Sequence, residues 1–517
     1  MRIAIHLDRA RLFRWHLVLI EALRAAGHDA YVSFRDTSEP LPTSLTAILD
    51  FDRVRTRAGS DRLSTRMAPD AFAAFGESAP KAEAAELTLD LATSAKVVRL
   101  AGRVLRPTFD GSPKDTALFH ALFDGRAPQL ACADTQEPGI WDIGLPALES
   151  PTRLATSFDQ AASRLVEGVV RTIARIDAGE RAPITDGPNA ASKGSSSILR
   201  SAGHFASDRT ARKFERARDR LVGNAPRWHV AWRTITDASE PPQAGTLDLS
   251  TFRILPDGGK RFFADPFVFV HQGVRHVFVE ELPDATGTGV ISHFTISDDG
   301  SASAPRVVLA TPHHLSYPFV FQRDGDIWML PESAAAGGLD LYRAEAFPDR
   351  WVKHARLIEG RLHDATLFEH GDRLWIAAGA EAFQSSTWDA LALYWSATLA
   401  GPWHAHAKNP VVVDARAARP AGPLWRAGGQ LYRPAQDCSG GYGGAIAVNR
   451  IVTLTPDKFE EVRDGTIAFN PELNLLGPHT ICRAGSIEVV DIYARPGALR
   501  AAFRASIRAS PSRPIKL

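Results

Sequence analysis

Five short segments of this chain each open on a polar or charged residue that leads straight into a strand-like run. They are Asp265 before Pro266-Phe267-Val268, Tyr317 before Pro318-Phe319-Val320, His363-Asp364 before Ala365-Thr366-Leu367, Arg419 before Pro420, and His479 before Thr480-Ile481. Carboxylates, imidazoles and a guanidinium at matching places in repeated units are the residue types of acid–base chemistry and of anion or hydroxyl binding. Two separated carboxylates suit a glycosidic bond: one protonates the leaving oxygen, and the other activates water or stabilises an oxocarbenium ion. Asp265 with Glu332 is the expected catalytic pair, and Glu280 or Glu281 adds a carboxylate from a second strand. Arg419, Arg433 and His479 are suited to sugar hydroxyls, a carboxylate or a phosphate, and Tyr317, His363 and Asp364 open onto the same place. Trp328, Trp375 and Trp425 offer faces to a pyranose ring, or else pack the strands in which they sit. A polar residue at such an opening can also simply cap a channel, which is the non-catalytic alternative.

The elements that must bring these residues together repeat about every 50 residues, a period typical of propeller blades. Each opening is followed by a turn and a second strand: His276–Glu281, Asp326–Glu332, Arg373–Ile376, Gln430–Arg433 and Glu488–Asp491. Five repeats predict five blades, whose first strands line a channel and converge at one mouth. The last repeat lacks outer strands, whereas Trp228–Arg233 and Leu247–Leu255 precede the first repeat without partners. Completing the last blade from that side closes the ring.

The chain before residue 226 has a different grammar. Nine of the eleven tryptophans lie at or after Trp228. Ile3, Ile5 and Leu7 alternate as in a strand, Leu12, Trp15, Leu19 and Leu23 follow at helical steps, and Tyr31-Val32 resumes a strand, which predicts a parallel α/β sheet. No glycine-rich phosphate loop follows the first strand. The expected organisation is an α/β domain over 1–180, a linker and basic helix over 181–225, an all-β five-bladed propeller over 226–495, and a basic tail over 496–517.

Composition bounds the function classes. Among 517 residues, 60 Lys and Arg face 59 Asp and Glu, so a net charge of +1 gives no electrostatic basis for nucleic-acid binding. An apolar share of 44% with 23% charged residues is that of a folded globular chain. Cys132, Cys438 and Cys482 stand alone, which encodes neither a zinc site nor a disulfide framework, and no cofactor or metal is expected. The lack of a long apolar run and of a cleavable leader leads us to expect a cytoplasmic protein.

A resemblance sharpens this reading. Ala264-Asp265-Pro266 and Ser396-Ala397-Thr398-Leu399-Ala400-Gly401-Pro402-Trp403 with Asn409-Pro410 are similar to segments of five-bladed arabinanase- and xylosidase-type glycosidases and of mannoside phosphorylases. In those glycosidases the Asp is the general base. More closely, residues 226 to about 495 resemble the propeller found in plant glucosamine inositolphosphorylceramide transferases and in bacterial proteins of unassigned activity. The match is carried by Phe263–Phe267, Tyr317–Phe321, Leu330-Pro331-Glu332-Ser333, and Tyr432–Asp437 with Tyr442-Gly443. That last segment adds Gln436 and Asp437 to the expected ligand-binding set, beside Glu281. In the plant proteins the transferase activity belongs to another domain that this sequence lacks, so the likeness implies a fold rather than a reaction. Ser316-Tyr317-Pro318 stands where the glycosidases have a second Asp. Residues 1 to about 180 are similar to a formyltransferase-like domain in Arg2–Ile5, Leu89-Asp90-Leu91, Phe109-Asp110-Gly111 and Glu137–Asp142, but lack the family's His-x-Ser-Leu-Leu-Pro segment. That domain is therefore expected to be degenerate and non-catalytic.

Two functions follow as expectations. One is an enzyme acting on a glycosidic bond by transfer, hydrolysis or phosphorolysis, with a sugar, glycan or glycolipid as partner. The other is a module that binds a glycan or lipid headgroup without reacting. A formyl or acyl transferase in the N-terminal half is disfavoured by the missing residues. The tail, with Arg500, Arg504, Arg508, Arg513 and Lys516, is expected to be a frayed terminus, with weak contact to an anionic membrane as the alternative.

Overall fold

A computed structural model describes the chain apart from residues 36–40, 42, 56–60, 77–84, 93–101, 138, 184–197, 237–240, 474 and 510–517. Residues 184–197 of the expected linker, Pro138, and Arg513 and Lys516 of the tail lie outside the described residues. The chain forms two compact units: Met1–Phe214 with Ala382–Ser386, and Glu215–Glu381 with Thr387–Leu517.

In the first unit, six strands form one sheet in the spatial order second, first, third, fourth, fifth, sixth. The first four, Asp29–Arg35, Arg2–Asp8, Leu87–Asp90 and Arg103–Phe109 in spatial order, run parallel. Ile3, Ile5 and Leu7 are fully buried, as in a sheet covered on both faces. The sheet is mixed rather than purely parallel, because Leu130–Asp134 and Ile140–Gly144 join antiparallel and a five-residue connection can only return the chain as a hairpin. Helix Leu154–Asp177 lays Leu165, Val169 and Ile173 into the core. His16 is a core residue: burial pulls its pKa down to about 3, and its Nδ1 accepts the Phe13 N–H at 3.1 Å.

The second unit is a five-bladed propeller. Blade I comprises Arg261–His271, Val274–Pro283, Val290–Ile296 and Arg306–Leu309. Blade II comprises Ser316–Arg323, Asp326–Glu332, Gly338–Ala346 and Arg350–Glu359. Blade III comprises Leu362–His370, Arg373–Ala380, Ala390–Ser396 and His404–Ala405, and blade IV comprises Trp425–Ala427, Gln430–Asp437, Ala445–Leu454 and Phe459–Phe469. Two-residue turns with positive φ at both positions, Gln272-Gly273, Asp324-Gly325 and Gly428-Gly429, link inner to second strands in blades I, II and IV, matching the twist of the strands they join.

Blade V closes the ring. Its inner strand Ile481–Ala484 pairs with Ile487–Ala494, which in turn pairs with Arg227–Thr234, residue for residue from Ile487↔Thr234 to Ala494↔Arg227. The segment expected to complete this blade divides: Arg253–Ile254 joins it, while Gly245–Leu247 lies parallel on the outer edge of blade IV, beside Phe459–Phe469. The tail begins as a helix, Pro496–Ala509, with Leu499 and Ala502 buried in the propeller's hydrophobic cluster, because an apolar face at helical spacing found a surface to cover. Among the described residues no helix is long and apolar enough to cross a membrane.

Candidate functional site at the propeller mouth

The first strands of blades I, II and III share one irregularity. Each carries a bulge at its start, between Ala264 and Phe267, Ser316 and Phe319, and His363 and Thr366. The second residue of each bulge is left-handed: Asp265 at φ 49°, Tyr317 at 46° and Asp364 at 51°. A bulge re-aims a side chain out of the strand's alternation. Repetition of this strained conformation at non-glycine positions in three blades aims three chosen side chains at the same cluster.

Asp265 is 4% exposed. Its Oδ1 accepts from Thr480 Oγ1 at 3.0 Å and lies 3.1 Å from His479 Nε2, and its Oδ2 accepts the Tyr317 N–H at 3.2 Å. His479 lies between two carboxylates, with Nδ1 2.6 Å from Asp491 Oδ2. Burial opposes its charge, but Asp491 and Asp265 together raise its pKa to about 10. Asp265 in turn is held below its ordinary pKa by His479, against burial. These three residues could offer ligand atoms to a cation, but as they stand they form a carboxylate–imidazolium–carboxylate bridge in which His479 is shared between both acids, leaving a net charge of −1.

A second group lies around Glu332 and Asp364. Glu332 Oε1 is 3.2 Å from His363 Nδ1, and its Oε2 accepts the Asp364 N–H at 3.2 Å and lies 3.5 Å from Arg419 Nη2. Against burial, these partners pull Glu332 down to about 2. Glu332 and Glu381 likewise raise His363 to about 9. Asp364 accepts from Arg419 Nε at 2.5 Å and Nη2 at 3.1 Å, and from Gln436 Nε2 at 2.7 Å. Burial and the nearby Glu332 and Asp265 carboxylates push it up to about 7, against the pull of the guanidinium. Tyr317 is fully buried, with its hydroxyl 2.8 Å from Thr366 Oγ1 and accepting the Gly422 N–H at 2.6 Å, so it ties blade II to the starts of blades III and IV.

Strand alternation separates the remaining expected residues. Glu280 belongs to the mouth cluster, whereas its neighbour Glu281 accepts from Arg261 at 2.8 Å and Ser292 at 2.7 Å. Gln436 reaches Asp364, whereas Arg433 and Asp437 do not join the cluster. Arg433 donates to Glu461 at 2.9 and 2.6 Å and to the carbonyls of Ala417 and Ala418, and Asp437 pairs with Arg463 at 3.2 Å. Trp328 and Trp375 are buried in their blades, and Trp425 stacks on Tyr432.

Several mouth residues had no repeat position to mark them. Trp388 and Tyr442 form a half-buried ring pair 5.1 Å apart, and Arg419 lies 5.2 Å from the Tyr442 ring centroid. Tyr442 packs edge-on against Trp228, which lies 3.9 Å from His479. His314, with a side chain 40% exposed, places Nε2 3.1 Å from Glu280 Oε1. Glu381 is paired with Arg361 at 2.8 Å and lies 3.5 Å from His363. The signal for Tyr442 was its aromatic ring in a glycine-rich connection; Trp388, His314 and Glu381 lie between strands, where no period marks them.

Fold and cluster together define a five-bladed propeller with a polar, partly aromatic mouth. Residues 256–472 match the family model for the N-terminal region of glucosamine inositolphosphorylceramide transferase 1. Proteins named glucosamine inositolphosphorylceramide transferase 1 are similar over part of the chain. The one from Arabidopsis thaliana is 35% identical over 205 residues, 39% of this chain and 27% of the relative. The one from Oryza sativa subsp. japonica is 33% identical over 247 residues, 47% of this chain and 32% of the relative. The chain thus spans about a third or less of the length of these relatives. Among solved structures, a family 117 glycoside hydrolase from Zobellia galactanivorans is 10% identical, with a TM-score of 0.33 over 53% of this chain and 91% of that one. An exo-beta-1,3-galactanase from Clostridium thermocellum is 12% identical, with a TM-score of 0.33 over 40% and 50%.

Proposed function

We propose that the propeller mouth binds a sugar, glycan or glycolipid headgroup and acts on a glycosidic bond. The observation that carries this is the division of two mouth carboxylates, Glu280 and Glu332. Burial raises Glu280 above its ordinary pKa, while His363 and Arg419 hold Glu332 near 2. Carboxyls pushed in opposite directions are the requirement for one acid and one base or nucleophile. His314 senses both Glu280 and Glu332, so the two share one locality. The Trp388–Tyr442 pair supplies a stacking face, and Arg419 and His363 supply donors. In this reading Asp265, with both oxygens occupied, positions His479 and the Tyr317 backbone. The relatives' name, a transferase of glucosamine and inositolphosphorylceramide, supports an amino sugar or a phosphorylated inositol headgroup as ligand. The N-terminal unit retains the reading of a formyltransferase-like domain without the residues for formyl transfer.

The saturation of Asp265 favours a second reading, a mouth that binds without reacting. Calorimetric titration of the full chain with glucosamine, N-acetylglucosamine, inositol phosphate and their nucleotide-sugar and glycoside forms, with Glu280→Gln and Glu332→Gln alongside, separates the two. Retained affinity with lost turnover in both variants supports the enzyme. Binding without turnover in the wild type supports the module, and no binding of any member of the panel refutes both.

A further inference from the structure

We infer that His314, seated by Gly289, decides which oxygen of Glu280 carries the exchangeable proton, and so makes Glu280 a directional proton donor to a ligand oxygen at the mouth. This deepens the function proposed above and rests on it only for the identity of the ligand.

Gly289 lies immediately before the third strand of blade I, and His314 in the connection to blade II. The backbones are tied where Leu315 N–H donates to the Gly289 carbonyl at 3.0 Å. The Gly289 N–H donates in turn to His314 Nδ1, also at 3.0 Å. Only an unprotonated ring nitrogen accepts such a bond, so the proton of the neutral imidazole sits on Nε2. Nε2 faces Glu280 Oε1 at 3.1 Å and donates to it. A Cβ at position 289 would lie 2.6 Å from His314 Cε1, 2.9 Å from Nδ1 and 2.5 Å from the Leu315 carbonyl. The backbone of Gly289 is not left-handed; what requires glycine there is the Leu315 carbonyl and the imidazole ring laid against it.

The consequence falls on Glu280, whose side chain is 10% exposed. With Oε1 committed as acceptor, a proton that Glu280 takes up is confined to Oε2. In transfer, the Oε2–H bond breaks and an O–H bond forms on the ligand oxygen. The carboxylate left behind keeps its bond from Nε2–H, and water returns the proton. The charged groups facing the pair are Asp265 of blade I, Glu332 of blade II and His479 of blade V. Glu280 raises the pKa of His314, but a second proton on its ring would point Nδ1–H at the Gly289 N–H and break that bond. His314 is thus a positioning residue.

The test uses the full-length protein labelled with 15N-histidine, with His314→Gln identifying the His314 signals in long-range proton–nitrogen spectra at pH 7. The expected result is one protonated nitrogen at Nε2 and an acceptor-type Nδ1. The opposite tautomer, or an imidazolium at that pH, overturns the inference. In a second measurement, Glu280 is titrated by 13C-carboxyl spectra, assigned with Glu280→Gln. Gly289→Ala keeps the imidazole but displaces it, so it removes a donor from the carboxylate and raises the Glu280 pKa by about one unit. An unmoved titration in a folded Gly289→Ala protein also overturns the inference, since mere packing would lower only the melting temperature. Should Gly289→Ala fail to fold, the wild-type tautomer decides alone. Neither measurement needs a ligand, so failure of the glycan panel and failure of this device are read separately.

Discussion

Replacing Asp265 by Asn tests the reassignment of this residue from reactive to structural. Asn tolerates the left-handed φ of 49° as Asp does, so the change adds no backbone strain and isolates the charge. The amide oxygen still accepts one bond, but His479 loses one of its two carboxylate partners and a 3.1 Å charge-assisted contact. Bonds to charged groups contribute about 1.5–3 kcal/mol, and removing one partner of a buried ion pair costs about 3–5 kcal/mol. Because Asp491 remains 2.6 Å from His479, the lower figure applies, about 2 kcal/mol. For a unit of about 300 residues that is a drop of about 3 °C in melting temperature. Differential scanning calorimetry at pH 7 reads it directly. With one carboxylate gone the His479 pKa also falls, so the deficit against wild type narrows as pH rises above 7. A variant that melts within a degree of wild type would refute the reasoning and return Asp265 to the role of an accessible base.

Other outcomes follow from the same geometry. Tyr317→Phe leaves the buried Gly422 N–H without its 2.6 Å acceptor and destabilises by about 1–3 kcal/mol in urea denaturation, with the fold retained in circular dichroism. His363, raised from 6.5 to about 9, contributes stability that is fully present below pH 6.5 and lost as pH rises through 9; the melting-temperature gap between wild type and His363→Gln should shrink across that window. Glu332 has the opposite sign: its contribution is present above about pH 4.5 and disappears toward pH 2, so Glu332→Gln should approach wild-type stability only in strong acid. Gly422, at φ 126°, would place a Cβ 2.0 Å from the Ile481 carbonyl, so Gly422→Ala should yield insoluble or grossly destabilised protein in an expression and melting assay.

Blade number was legible because inner strands must repeat: Asp265-Pro266-Phe267 and Tyr317-Pro318-Phe319 announce the same bulge, and Asp324-Gly325 the same turn. The pairing of Arg227–Thr234 with the last blade followed from strands left without partners. Gly245–Leu247 did not, because three residues on a parallel outer edge carry no pattern that names a neighbour. Within the site, the openings identified Asp265, Tyr317, Asp364, Arg419 and His479, yet sequence distance hid their pairing. Arg419 meets Asp364 and Glu332 from other blades, while Arg433 is consumed by Glu461 on a strand of its own sheet. Spacing shows that a guanidinium is present but not whether a carboxylate already neutralises it. Trp388 and His314 lie in connections, where only the folded ring decides what is close.

Blade V draws its central strands from distant parts of the chain, with Arg227–Thr234 locked between Ile487–Ala494 and Arg253–Ile254. Bringing such strands together closes a loop of about 250 residues, an entropic cost that grows only slowly with length but makes the step slow and late. During synthesis blades I to III can pair locally as they emerge, whereas blade V waits for the final strands. His479 and Asp491 arrive with those strands, and the Asp265 carboxylate has no imidazolium beside it until they do. Completion of the circle and completion of the mouth are therefore a single kinetic event, and a chain halted before residue 479 would hold four blades around an unneutralised acid.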